Sequence, residues 1–192
     1  LLNEFFGKTI TALVAITVSA LLVLTLCAWA FQHWLSRANL LPIEFKQKPP
    51  GRRRGLIVLV GRQLETCRKA IEFHHPLLER CWLICSAQTL EQAQELKAVF
   101  DRHLTIPDPL IVNDVNDPLE YRRLVNSIYS HLPQGWKEQD VIADYTGMTA
   151  HASVGMALAC LGSARPLQYI PPINDANLIA IDALDPIEIE LT

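Results

Sequence analysis

The chain has 192 residues, 17 of them Lys or Arg and 20 Asp or Glu, and half of it is apolar, which suits one domain of ordinary size and one further element. Its charge is uneven: residues 1–54 hold 7 basic and 2 acidic side chains, a net +5, which leaves −8 on the remainder. So acidic a domain lacks the general basic field that long nucleic acid requires, and an anionic ligand would have to be held locally, by backbone N–H groups and a few side chains.

The first element in the chain is apolar. Between Lys8 and Arg37 there is no Asp, Glu, Lys or Arg, and "TITALVAITVSALLVLTLCAWAFQHW" is hydrophobic almost throughout. About 20 such residues in a helix cross about 30 Å of hydrocarbon. A secretory signal would have a shorter apolar core and a small-residue cleavage site, whereas this run ends in Trp29, Phe31 and Trp34, rings suited to the membrane interface. The expectation is a retained transmembrane helix with its flanks over residues 1–36. Thr11, Ala15, Ser19, Leu22 and Thr25 share one of its faces, and small residues of that kind permit close helix packing in lipid. Basic residues follow the span (Arg37, Lys46, Lys48 and Arg52 to Arg54) and only Lys8 precedes it. The positive-inside rule then sets the chain single-pass in the inner (cytoplasmic) membrane, N-terminus outside and the rest in the cytoplasm.

Residues 37–54, "RANLLPIEFKQKPPGRRR", read as a basic Pro/Gly linker beside an anionic leaflet. From Gly55 to Thr192 short continuous apolar runs alternate with helical stretches. "LIVLVG" precedes a helix around "ETCRKAIEFHHPLLERC", and "CWLICS" precedes "TLEQAQELKAVFDRH", in which Leu90, Ala93, Leu96 and Phe100 recur at helical spacing. "PLIVNDV" precedes "DPLEYRRLVNSIYSHL", opened by Asp117 as N-cap and Pro118 at the first helical position. "DVIADYTG" precedes "ASVGMALACLG", "PLQYIPP" and "NLIAIDA" read as late strands, and the acidic "DPIEIELT" closes the chain. The pattern predicts an α/β fold with a mostly parallel sheet covered on both faces.

In such sheets ligands bind beyond the carboxyl ends of the strands, where the connections diverge. The residues there are Gly61, Arg62 and Gln63, then Ser86, Ala87 and Gln88, then Asn116 and Asp117, and last Thr146 to Ser153, among them Met148 and His151. Most are small or polar, in keeping with a hydrophilic ligand, although turns favour such residues for geometric reasons too. No GxGxxG follows the first strand, no P-loop, GxSxG elbow or HExxH is present, and "CWLIC" has no second Cys or His pair, so no cofactor and no metal is expected.

The stretch "DYTGMTAHASVGMALACLGSARPLQYIPP" resembles the signature of CARF domains, the CRISPR-associated Rossmann-like folds, whose usual form is close to D-x-T-G-G-T-K-x-M-S. Asp144, Thr146, Gly147, Thr149 and Ser153 stand at matching positions, and Tyr169 at a later one. Met148 stands where the family has a second glycine and Ala150 where it has lysine. The resemblance implies a Rossmann-like CARF domain over residues 55–192 that binds a cyclic oligoadenylate across a homodimer twofold. The ligand it implies is cyclic tetra-adenylate, with cyclic hexa-adenylate as the alternative. Joined to the span, it implies a membrane effector of type III CRISPR antiviral defence: ligand binding would oligomerise the chains, to a tetramer, or gate their transmembrane helices as a pore, and the resulting membrane depolarisation would arrest growth. Two alternatives stay open, a membrane-tethered ring nuclease, against which Ala150 argues, and an anchored sensor that recruits a partner. The leading expectation is a binding protein and not an enzyme.

Overall fold

Continuous apolar strands need cover on both faces, and the computed structural model of the chain supplies it. The structure describes residues 17–30, 45–174 and 180–191, in two units, Leu1–Ile43 and Glu44–Thr192.

In the first unit the described residues form a helix, α1 (17–30), exposed along its whole length and without a charged side chain. The Thr25 hydroxyl donates to the Leu22 carbonyl one turn back (2.9 Å). Ser19, Leu22 and Thr25 of the expected packing face lie on α1, and Thr11 and Ala15 lie outside the described residues, as do both ends of the expected span. No helix among the described residues is long and apolar enough to cross a membrane.

The second unit is an α/β sandwich. Its elements are β1 (Phe45–Lys48), β2 (Gly55–Leu59), α2 (Glu65–His74), β3 (Arg80–Ser86), α3 (Leu90–Phe100), β4 (Leu110–Val112), α4 (Pro118–Ser130), β5 (Val141–Asp144), α5 (Ala150–Cys160), β6 (Leu167–Tyr169), β7 (Pro172–Asn174), β8 (Ala180–Ala183) and β9 (Ile187–Leu191). A seven-stranded sheet has the order β1-β9-β6-β5-β2-β3-β4, and β7 pairs with β8 beside it. The five strands from β6 to β4 are parallel. Alternate residues of β2 and β3 feed two cores. Leu56, Val58, Cys81, Leu83 and Cys85 meet Cys67, Ala70 and Ile71 of α2 and Ala93 and Leu96 of α3. Ile57, Leu59, Trp82 and Ile84 meet Tyr121 and Val125 of α4 and Ala152 and Met156 of α5 on the other face. Cys81 and Cys85 thus share a face, as their spacing requires, and burial raises their thiol pKa values. Gly155 lets α5 lie directly on α4: a Cβ there would come 2.6 Å from Tyr121 Cβ. The mostly parallel α/β sheet is consistent with a Rossmann-like CARF domain.

Two stretches differ from expectation. Residues 45–48, expected within the linker, form β1, and the acidic end of the chain, for which no element was expected, forms β9. The two pair antiparallel with Lys46 opposite Glu190 and Lys48 opposite Glu188. Lys48 reaches Glu188 at 3.4 Å, and opposite charges facing each other across a ladder stabilise it. Each stretch alone reads as a solvated charge run, because its partner lies at the far end of the chain.

Candidate functional site

β2 and β5 are neighbours whose connections leave in opposite directions, β2 towards β3 and β5 towards β6, so a crevice opens beyond their carboxyl ends. A cleft of about 640 Å³ lies there. It is lined by Gly61, Arg62 and Gln63 after β2, Ser86 at the end of β3, and Thr146, Gly147, Met148 and Thr149 after β5. Those eight positions were expected from the sequence, as was Gln88, which also lines it.

The loop after β5 is held from below. Asp144, 2% exposed, accepts the Thr146 N–H on Oδ1 (2.7 Å) and the Gln168 side-chain N–H on Oδ2 (2.9 Å), and Thr146 Oγ1 accepts the Ile170 N–H (2.7 Å). Gly147 has φ +95°, and a Cβ on it would sit 2.7 Å from the Leu59 carbonyl oxygen. Met148 follows with φ +57°, a left-handed conformation that glycine adopts freely and a side chain resists. The position where the family pattern has a second glycine is therefore a position that calls for one. Thr149 caps α5, accepting the Ala152 N–H (3.3 Å) and donating to the Val115 carbonyl (3.2 Å).

Burial pushes the Asp144 carboxyl up to about 6, opposed by its bonds from Thr146 and Gln168. Burial also pushes His74, the last residue of α2, down to about 4; its bond to Gln168 works the other way, and the charges of Arg53 and Arg52 add to the fall. The two act oppositely on stability. The Asp144 contribution is present below its unfolded value near 3.8 and is lost as pH rises through 6, whereas that of His74 is present above 6.5 and is lost as pH falls through 4. Each is worth about 3 kcal/mol, so over their shared window they largely offset.

Five expected residues lie outside the cleft lining. Asp117 caps α4, accepting the Leu119 N–H (2.9 Å), and pairs with Arg123 (2.8 Å). Asn116 donates its N–H to Asp114 (2.9 Å). Ala87 and His151 are exposed beside the cleft, and the Ser153 hydroxyl donates to the Tyr145 carbonyl (2.9 Å). Conversely, Thr66, Thr89, Val115 and Pro172 line the cleft unexpectedly. Thr66 sits in the first turn of α2, where a search of strand ends does not look, and Pro172 reaches the cleft from β7, beyond β6.

Arg62 is the one ionisable side chain among the described residues lining the cleft. It is exposed. No side chain caps the first turn of α2 beside it, which leaves N–H groups there for an anion. Tyr145 and Tyr169, at the ends of adjacent strands, stack with ring centroids 5.4 Å apart.

No family model and no curated protein matches the chain. Solved structures do. The chain is similar to Can2 from Sulfobacillus thermosulfidooxidans in complex with cyclic tetra-adenylate, with 15% identity over 70% of this chain and 38% of that one and a TM-score of 0.53. It is also similar to a type III CRISPR defence DNA nuclease activated by cyclic oligoadenylate, with 16% identity over 66% of this chain and 20% of that one and a TM-score of 0.50. The shared feature is the fold. The chain spans about a fifth and under two-fifths of these larger proteins, one activated by a cyclic oligoadenylate and the other holding one.

Proposed function

We propose that the cleft between β2 and β5 receives a cyclic oligoadenylate, cyclic tetra-adenylate in the first instance, and that the protein is a signal-gated membrane effector of type III CRISPR defence. The observation that carries this reading is the cleft itself: a left-handed, glycine-containing loop and one exposed arginine at the switch point of a sheet similar in fold to that of a protein that holds cyclic tetra-adenylate. Arg62 and the uncapped start of α2 supply the local positive field that an acidic domain otherwise lacks. A homodimer twofold is supported by α5, which buries one face and leaves Val154 and Leu158 exposed along the other, with Leu161 exposed just past its end. These three residues follow one another at helical spacing, and an isologous contact would cover them while presenting two clefts to one symmetric ring.

The membrane part rests on the uncharged residues between Lys8 and Arg37 and on the exposed apolar surface of α1. Such a surface needs lipid or protein to cover it. In this reading ligand binding favours one assembly of the spans over another, to a tetramer, and opens a leak. The coupling required is about 1 to 3 kcal/mol, a shift of about 5- to 150-fold.

The test is dye or ion flux from liposomes bearing the full chain, with and without cyclic tetra-adenylate. Flux that appears only with the ligand is expected. Saturable binding without flux would remove the pore and leave an anchored sensor, and conversion of the ring to linear product would make the protein a ring nuclease. That last outcome would need a general acid or base, and among the described residues lining the cleft there is no His, Asp, Glu or Lys to act as one.

A further inference from the structure

A polar chain runs through the otherwise apolar interior of the second unit. At one end the backbone N–H of Arg53, two residues before β2, donates to His74 Nδ1 (3.1 Å). A backbone N–H can only donate, so Nδ1 is an acceptor and the ring proton sits on Nε2, which donates to Gln168 Oε1 (2.9 Å). With its oxygen engaged, Gln168 turns its amide nitrogen to Asp144 Oδ2 (2.9 Å), and Asp144 Oδ1 accepts the Thr146 N–H (2.7 Å) in the cleft loop. His74 and Gln168 are fully buried.

The order is fixed from both ends. Turning the Gln168 amide over would set its NH₂ against the His74 N–H and its carbonyl against a carboxylate. Moving the ring proton to Nδ1 would set it against the Arg53 N–H. Beyond Arg53 the chain continues: its guanidinium reaches Glu188 of β9 (3.2 Å), a carboxylate 5% exposed that also pairs with Lys48 at the end of β1 (3.4 Å). The cleft loop is thereby connected to Lys48 and Arg53, both in the stretch of sequence that follows residues 1–43 directly.

An apolar core would be at least as stable as a buried row of three polar side chains, which is tolerable only when every member is satisfied. Such a row has few alternative states, and displacing one member leaves its neighbours short of a partner. We propose that Gln168 is the positioning residue of a buried hydrogen-bond relay that couples the conformation of the Thr146 loop to the Lys48–Arg54 stretch. A ligand that draws the Thr146 N–H towards itself removes one donor from Asp144. The carboxylate then takes more of Gln168, and because hydrogen bonds in a chain polarise one another, the bond of His74 to Gln168 and that of the Arg53 N–H to His74 change with it. For its trigger the relay rests on the reading of the cleft as a ligand site; its wiring does not.

The test follows amide exchange at Arg53 in the full chain. Without ligand, Thr146→Val alters the loop at one end and is expected to change exchange of the Arg53 N–H at the other by about fivefold or more. In a Gln168→Met background, which keeps the side-chain length but neither hydrogen bond, the same substitution is expected to change nothing further. His74→Phe severs the next link and should give the same result. Additive effects, or no response of Arg53 to Thr146→Val in the otherwise unaltered chain, would overturn the relay. With cyclic tetra-adenylate added, the response at Arg53 is expected in the unaltered chain and not in Gln168→Met, although both bind. Binding without a response at Arg53 also overturns the relay, whereas non-additivity with no binding upholds it and removes the proposed ligand instead.

Discussion

Two loops at the carboxyl end of the sheet look alike in sequence and behave differently. After β4, "NDVND" is polar, and its polarity is spent on itself: Glu120 accepts the Asn113 N–H, the Asn113 side-chain N–H and the Asp114 N–H, each at 2.9 Å, while Asp117 caps α4. Only Val115 of that loop faces the cleft. After β5, "YTGMT" also occupies its threonine hydroxyls, those of Thr146 and Thr149, yet it does so with two successive residues at positive φ over a buried carboxylate. The backbone of the second loop is shaped around a space, and that of the first around a helix start. Polar side chains at a strand end are therefore weak evidence for a ligand, and unusual backbone held from beneath is stronger.

The contrast can be broken at several places. Gly147→Val puts a β-branched side chain at φ +95° and its Cβ 2.7 Å from the Leu59 carbonyl; a loss of about 3 kcal/mol in urea denaturation, together with loss of cyclic tetra-adenylate binding, is expected. Arg62→Ala should weaken binding about 10- to 100-fold in a calorimetric titration and leave stability unchanged, because among the described residues no carboxylate pairs with this exposed cation. Met148→Val is expected to cost about 1 to 2 kcal/mol, since a β-branched residue fits a left-handed backbone worst. Met148→Gly should stay near the parent stability, because relief of the backbone offsets the lost contacts of a side chain packed against the core. Asp117→Ala should cost about 1 kcal/mol of thermal stability through the lost cap and leave binding unaltered, which would separate the two loops by function.

Much of the fold was legible because parallel strands buried on both faces leave continuous apolar runs, and Asp117 followed by Pro118 marks a helix start without ambiguity. β1 and β9 were not legible, since each is a short charged stretch whose partner lies over 130 residues away, and only the ladder shows Lys48 facing Glu188. In the site, Gly61 to Gln63 and Thr146 to Thr149 could be found from topology and motif. The Thr149 and Ser153 hydroxyls could not be assigned, because one is a cap and donor to Val115 and the other a donor to Tyr145, partners that sequence spacing does not reveal. Nor could the relay, whose members His74, Asp144 and Gln168 come from three elements and look unrelated in the sequence.

The central claim is that a cyclic oligoadenylate occupies the cleft between β2 and β5, and amide exchange along the full chain with and without cyclic tetra-adenylate tests it most directly. Slower exchange at residues 61–63 and 146–151, with residues 113, 114, 116 and 117 unchanged, is the expected result. No protection anywhere at saturating ligand, or protection confined to the loop after β4, would contradict it.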